Sequence, residues 1–343
     1  MPDQYTRTRA QLGTPALDVL RRAHVAVFGI GGVGGQAVEV LARSGVGELS
    51  LFDSDTVALS NLNRQLVALH STLGQYKVDA MAARIADIDP TIIVHANRMF
   101  YNAETAPDVD LTQFDYVLDC IDTVSAKLLL IRCCKKDGVP ILCSMGAANK
   151  LDPTAFRVAD IEKTTVDPLA KVIRLECRKR RLGKVKVVFS EEQTLPPLQE
   201  EIEEAPTAAR RTVPASNAFV PAACGLVCGS EVVKDLLRKA GAKEIHMRVS
   251  APPFVSECYY GTDIDDKNKL IANHHTVAEI AEIIGVDSLG YLSLSDVVKL
   301  ADHTESGFCT ACFGGGYPTP IPQDSNKDRF ECKISEREKQ ESV

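Results

Sequence analysis

The sequence predicts an α/β fold: a doubly wound, mostly parallel sheet followed by a smaller appended α/β fragment. Three observations carry that expectation. HVAVFGI at residues 24–30 is an apolar, β-branched run of the kind that forms a short buried strand. Gly29, Gly31, Gly32 and Gly34 then make a turn without side chains, and QAVEVLARSG follows at helical spacing and closes on Gly45, a helix C-cap. From there to about residue 150, strand and helix patterns alternate, which is the signature of a parallel sheet covered by helices.

Taken in order, residues 1–23 form a helical arm, since QLGTPALDVLRRA places Leu12, Leu17 and Leu20 at helix-compatible spacing. ELSLF at 48–52 is the second strand, and Asp53 closes it. A polar stretch, SDTVALSNLNRQ, leads to an amphipathic helix at 77–88 and a third strand, TIIVHAN. QFDYVLDCID at 113–122 is a buried strand ending in Asp119 and Asp122. A glycine-capped helix, SAKLLLIRCCKKDG, and a further strand, VPILCSMG, complete the alternation. Residues 152–183 elaborate on this core, and KVKVVFS at 184–190 is one more strand. Residues 191–217 mix acidic, Pro and Thr residues without period and read as a mobile loop. NAFVPAACGLVCGSEVVKDLLRKAG is a long helix that closes the domain. Beyond it, KEIHMRVSAPP reads as a strand, TVAEIAEIIG and SLSDVVKLAD as short helices, and residues 323–343 as a polar, disordered tail. The expected division is therefore 1–236, 237–322 and 323–343.

Composition narrows the class. At 343 residues there is room for about two domains. No apolar run approaches the roughly 20 residues of a membrane span, and MPDQYTRTRAQLG lacks the apolar core of a secretory signal, so no membrane association and a cytoplasmic location are expected. A net charge of −7 argues against a uniformly basic nucleic-acid binder, yet KVIRLECRKRRLGKVK at 171–186 is strongly basic and QEEIEEAP at 199–206 acidic. The basic run is either a solvated helix face or a phosphate contact. Eleven cysteines without a secretion signal do not describe a disulfide scaffold. Cys120, Cys133, Cys134 and Cys143 fall in apolar patterns as small core residues. Cys177 lies inside the basic run, where cations would depress its thiol pKa, but no His or Asp partner stands beside it, and a passive role is expected.

The strand, glycine turn and helix N-terminus form a phosphate site, with aligned N–H groups facing an anion. Asp53, about twenty residues further on, stands where a carboxylate holds a ribose hydroxyl. The turn alone leaves NAD, FAD and ATP open. The residues after Asp53 make the choice. Arg64 and Lys77 are cations suited to a triphosphate and its developing charge, and Asp122 at a strand end suits Mg²⁺ held together with substrate phosphates. Each alone fits a surface pair, a helix start or an N-cap; in this order they argue for ATP and against hydride transfer.

GIGGVG, DSDTVALSNLNRQ, GQYKVDA and CIDTVSAK together resemble the E1-like superfamily of carboxylate-adenylating enzymes, which includes ubiquitin-activating and sulfur-carrier-activating proteins, over most of residues 10–150. The resemblance implies a Rossmann-like sheet of the E1-like type. DPTAFRVADIEKTTVDPLAKVIRLECRKR and KVKVVFSEE are similar to the tRNA threonylcarbamoyladenosine dehydratase branch, in which ATP activates a carboxylate on a tRNA adenosine and the activated acyl group cyclises. In that case Gly29, Gly31, Gly32, Gly34, Asp53, Asp55, Asn61, Asn63 and Gln65 bind ATP, Arg64 and Lys77 its phosphates, and Asp122 the Mg²⁺. Lys171, Arg174, Arg178, Lys179, Arg180 and Arg181 then have a tRNA polyanion to neutralise. The expected partners are tRNA, a second copy in a homodimer and a sulfur-donor system. Activation of a sulfur-carrier or ubiquitin-like C-terminus remains the alternative, although paired CxxC zinc motifs are absent; an NAD-binding or iron–sulfur protein is the third reading.

A second resemblance begins near residue 237. LLRKAGAKEIHMRVSAPPFVSECYYGTD, EIIGVDSLGYLSLSDVVKL and GFCTACFGGGYPTPIP look like the C-terminal part of amidophosphoribosyltransferase over residues 237–322. The chain opens Met1-Pro2-Asp3 without that family's N-terminal cysteine, and Asp265-Asp266 reads as a turn in a Lys-rich stretch, so transferase activity is not expected. In the iron–sulfur members, cysteines matching Cys258, Cys309 and Cys312 hold the cluster. A cubane needs four thiolates; that family's fourth ligand lies upstream of the region present here, and Cys332 and Cys228 are candidate substitutes that no spacing singles out.

Overall fold

The computed structural model describes residues 3–196, 214–241, 244–258, 267–299, 309–314 and 316–320. The acidic run at 199–206, Asp265, Asp266, Cys332 and the tail at 323–343 lie outside the described residues, as does most of the segment at 191–217. The chain divides into two compact units, Met1–Ala242 and Lys243–Val343.

In the first unit a seven-stranded sheet has the order β3-β2-β1-β4-β5-β7-β6. Its strands are β1 (His24–Phe28), β2 (Glu48–Phe52), β3 (Ile93–Asn97), β4 (Tyr116–Asp119), β5 (Ile141–Ser144), β6 (Phe156–Asp160) and β7 (Lys186–Ser190). All pairs are parallel except β6 on β7. The chain builds outward from β1 to β2 and β3, then returns to lay β4 on the other side of β1. That reversal opens a crevice at the carboxyl ends of β1 and β4, the place where sheets of this kind bind ligands.

Two apolar layers enclose the sheet. On one face Val25, Val27, Leu49 and Leu51 pack with α3 (Gly34–Ser44), α4 (Lys77–Ile88) and α7 (Val220–Lys239). On the other, Ala26, Phe28, Phe52 and Val117 pack with α5 (Val124–Asp137) and α6 (Pro168–Arg180). The α7 helix lies directly on α3: a Cβ on Gly225 would come within 2.3 Å of Val33 O. Small residues on α7 therefore allow backbone-to-backbone approach, while Cys224, Cys228 and Val232 fill the remaining space with no exposed surface.

The N-terminal arm is two helices and not one. α1 (Thr6–Leu12) ends before Gly13, and α2 (Thr14–Arg22) restarts with Pro15 in its first turn, where the missing N–H costs nothing. A further difference is β6, which the sequence does not announce. FRVAD lies at the antiparallel sheet edge with only Phe156 buried, so its polar content masks its strand character.

The second unit pairs β8 (His246–Val249) in parallel with β9 (Ser288–Tyr291), joined through α8 (Val277–Ile284), whose Thr276 and Glu279 form a reciprocal capping box. α9 (Leu294–Lys299) and α10 (Ala311–Gly314) follow. Among the described residues no helix is long and apolar enough to cross a membrane.

Candidate active site

The glycine turn is built by two close approaches. Gly29 has φ 88°, and a Cβ there would stand 2.8 Å from Cys120 O, so only glycine lets β1 end against β4. Gly34, the first residue of α3, sits under the turn; a Cβ on it would lie 1.8 Å from Gly29 O. Gly31 and Gly32 are free to face the crevice, a cleft of about 700 Å³ whose walls include Phe28, Asp53, Asn61, Arg64, Gln65, Lys77 and Asp122. That volume lies within the usual range for ligand pockets.

Asp53 locks the turn to β2. Its Oδ2 accepts the Ile30 N–H at 2.7 Å and its Oδ1 the Asp55 N–H at 2.8 Å. Burial raises the Asp53 carboxyl above its ordinary value, opposed by the Lys77 charge and by these two N–H donors. A carboxylate has about four lone-pair positions, which leaves acceptor capacity toward the cleft. Lys77, at the start of α4, is nearly enclosed (5% exposed) and donates from Nζ to Asp55 Oδ2 at 2.7 Å. Arg64 rests on a short polar turn: its Nη1 donates to Ser60 O at 2.8 Å and to Asn63 Oδ1 at 2.9 Å. Asn61 braces that turn by accepting the Ala58 N–H. The Oε1 of Gln65 is buried at the cleft wall with no hydrogen-bond partner among the described residues, an acceptor left over by the fold.

The structure thus brings Gly29, Gly31, Gly32, Asp53, Asp55, Asn61, Arg64, Gln65, Lys77 and Asp122 to one cleft. Gly34 lies behind it as a packing residue, and Asn63 stands outside the lining, exposed, with Nδ2 on Ser216 O. Asp122 follows β4 and accepts the Thr123 hydroxyl; the N-cap of α5 is Thr123.

Two buried ion pairs behind the cleft escape the sequence reading. Lys127 donates to Asp119 Oδ2 (2.8 Å) and Ser144 O (3.0 Å), tying the ends of β4 and β5 together with no exposed surface on either charged group. Lys150 donates to Asp167 Oδ2 (2.8 Å) and Gly146 O (2.7 Å), while Asp167 Oδ1 caps α6 through the Ala170 N–H. The signal for Lys127 lay in CIDTVSAK, where a lysine recurs one α5 turn after the strand; nothing in the sequence pairs Lys150 with Asp167.

The basic run occupies α6 and its C-cap. Pro168 and Leu169 reach the cleft, and the helix carries the cations away from it over about 18 Å at 1.5 Å per residue. Arg174 donates to Thr164, Arg178 pairs with Glu162, and Arg180 with Glu176; Lys171 and Arg181 are exposed. Cys177 is not activated by these neighbours: burial, followed by the Glu162 charge, pushes its thiol up to about 11.

In the second unit Cys258 and Cys309 lie near enough to Cys312 to add to the burial that raises its thiol. Cys228 is fully buried in the core of the first unit, and Cys332 lies outside the described residues.

Comparison with known proteins places these features. A family model described as the ThiF family matches residues 5–253. The tRNA threonylcarbamoyladenosine dehydratase of Bacillus subtilis is 46% identical over 252 residues, covering 71% of this chain and 99% of that protein. A crystal structure of E. coli tRNA N6-threonylcarbamoyladenosine dehydratase, TcdA, in complex with ATP superposes with a TM-score of 0.61 at 33% identity, covering 70% of this chain and 96% of that one. The amidophosphoribosyltransferase of Methanothermobacter thermautotrophicus is 48% identical over 95 residues, 28% of this chain and 20% of that protein.

Proposed function

The chain belongs to the ThiF family, and we propose that it catalyses the ATP-dependent dehydration of N6-threonylcarbamoyladenosine in tRNA. The observation that carries this reading is the cleft itself: a glycine turn, a ribose-competent carboxylate and two cations meet at the strand switch point of a chain that spans nearly the whole length of a dehydratase.

The threonylcarbamoyl carboxylate is a poor electrophile. Its oxygen attacks the α-phosphorus of ATP, the bond to pyrophosphate breaks, and an acyl adenylate forms. A nucleophile within the same modified base then attacks the acyl carbon and AMP leaves with the former carboxylate oxygen, so the nucleoside loses one water overall.

The chain's residues fit that sequence. N–H groups of the turn and the α3 N-terminus face the phosphates, Asp53 accepts from ribose hydroxyls, and Gln65 Oε1 offers its unused acceptor. Arg64 and Lys77 offset charge that grows on the phosphates during attack; such preorganised groups are worth about 10²–10³-fold each. Asp122 would supply a carboxylate to hold Mg²⁺, which would add positive charge against the phosphates. The exposed cations on α6 contact the tRNA backbone while the modified base enters the cleft beside Pro168. The same reading includes a homodimer.

Incubation of the protein with ATP and threonylcarbamoylated tRNA, followed by nucleoside mass spectrometry, tests the proposal. The expected result is conversion to the species lighter by one water, with Lys77→Ala reducing the rate on the order of 10²-fold or more. Absence of water loss, together with ATP–pyrophosphate exchange stimulated by a Gly-Gly-ended carrier protein, would replace this reading with the carrier-activating one.

A further inference from the structure

At the opposite ends of the same strands lies a donor set that the dehydration chemistry does not use. Parallel register sets His24 of β1 beside Glu48 of β2, and Ser50 of β2 beside His95 of the edge strand β3. Alternate strand residues share a face, so His24, Glu48, Ser50 and His95 all project to the face that carries Phe28 and Phe52 nearer the cleft. One ligand atom from each of His24, Glu48 and His95 lies within 4.8 Å of the other two, the one such triad among the described residues.

We propose that His24, Glu48 and His95 form a binding site for a divalent transition-metal ion of the Zn²⁺ class. Glu48 Oε1 lies 2.8 Å from His95 Nε2 and 3.6 Å from His24 Nδ1. Tetrahedral zinc with bonds of about 2.0–2.1 Å separates its ligand atoms by about 3.3 Å, so the donors need only small side-chain adjustments to admit the ion. Two imidazoles and one carboxylate suit zinc, copper or nickel; Mg²⁺ and Ca²⁺ demand mostly oxygen.

The surrounding residues support ligation. His24 Nε2 is 2.9 Å from Ser50 Oγ, and a proton held there leaves the Nδ1 lone pair directed at the site. The edge of Phe114 packs on the His24 ring with centroids 4.8 Å apart, fixing its plane. Asp115 accepts the His24 backbone N–H and adds negative charge nearby, itself approached by Lys239. The His24 side chain is 13% exposed and the His95 side chain 49%, so the site is seated on the sheet and open to solvent from the β3 side. Three protein ligands leave a fourth position for water. The ion would tie the edge strand β3 to β2 and, across it, to β1, about 16 Å along β1 from the glycine turn, and would therefore act on the fold and not on the adenylation chemistry.

The test uses the full chain carrying Cys258→Ser, Cys309→Ser, Cys312→Ser and Cys332→Ser, which removes the four C-terminal thiols that could compete for the ion. Equilibrium dialysis against micromolar ZnCl₂ with elemental analysis should find one zinc per chain, and zinc should raise the melting temperature. His95→Ala, at the exposed edge, and the isosteric Glu48→Gln should each weaken zinc binding by at least about tenfold and abolish the thermal shift, with unchanged far-UV circular dichroism. Failure to retain zinc at micromolar concentration, or retention that neither variant affects, overturns the proposal.

Discussion

Lys127 shows how a single side chain connects folding to the site. Its charge and that of Asp119 are wholly enclosed, and Lys127 also bonds Ser144 O, so the carboxyl ends of β4 and β5 are fixed where they line the cleft. Removing one partner leaves a buried charge uncompensated, which costs on the order of 3–5 kcal/mol. Lys127→Ala is expected to lose that much stability in urea unfolding, whereas Lys127→Met combined with Asp119→Asn recovers most of it. A loss below about 1 kcal/mol for the single variant would mean that water or a rearrangement satisfies Asp119. The cysteines make a second residue-scale case. The sequence places Cys177 among cations that would activate it, but its inward position on α6 dominates, and burial pushes the thiol up to about 11 while leaving it 1% exposed. Iodoacetamide at neutral pH should label exposed Cys309 and leave Cys177 unmodified until denaturant is added. Labelling of native Cys177 at a comparable rate would contradict this assignment.

At the scale of elements, α7 is held to β7 by charge as well as by packing. Lys186 of β7 contacts both Glu231 and Asp235 of α7, and Tyr116 of β4 donates to Asp235 at 2.6 Å. Burial works to raise the Glu231 carboxyl, but contacts from Lys186 and Lys234 outweigh it and hold the group below its ordinary value of 4.5. A depressed folded-state carboxyl contributes stability that is present above pH 4.5 and is lost as pH falls through its lowered value. Glu231→Gln should therefore cost about 1–2 kcal/mol at pH 7, and its difference from the parent should shrink in urea titrations carried out progressively below pH 4.5. A difference that is constant with pH would assign the effect to packing alone. The same elements show which parts of the architecture were legible. Glycine turns and apolar strands announce β1, β2, β4 and β5 because buried parallel strands carry little polar sequence. β6 and β9 were not, since FRVAD is an edge strand and SLGY is short with a glycine inside it. Arg64, Lys77 and Asp53 could be placed at the site because charged residues follow strand ends in fixed order. The Lys150–Asp167 pair could not, because it depends on a contact that only the folded chain creates, and the resemblance that named Gln65 gave no sign that its Oε1 would be left buried without a partner among the described residues.

At the scale of the whole molecule, two resemblances meet in one chain, and the candidate cleft belongs to the first unit. Every cleft residue lies between Phe28 and Pro221, inside Met1–Ala242. The Bacillus subtilis dehydratase is matched over 99% of its own length by 71% of this chain, so a protein of that family needs nothing resembling the remaining part. The amidophosphoribosyltransferase likeness, by contrast, represents a fifth of its relative, and its described elements are a two-stranded sheet with short helices. The first unit also closes its own core: α7 covers α3, and the buried Lys127–Asp119 and Lys150–Asp167 pairs are satisfied within it. A chain ending at Ala242 is therefore expected to fold and to dehydrate modified tRNA with ATP at a rate within about twofold of the full-length protein, as an autonomous domain would. Lys77→Ala in the shortened chain should still reduce the rate on the order of 10²-fold or more. If the shortened chain keeps its circular dichroism but loses turnover, the appended unit takes part in tRNA recognition or catalysis, and the division of labour drawn from the fold is wrong.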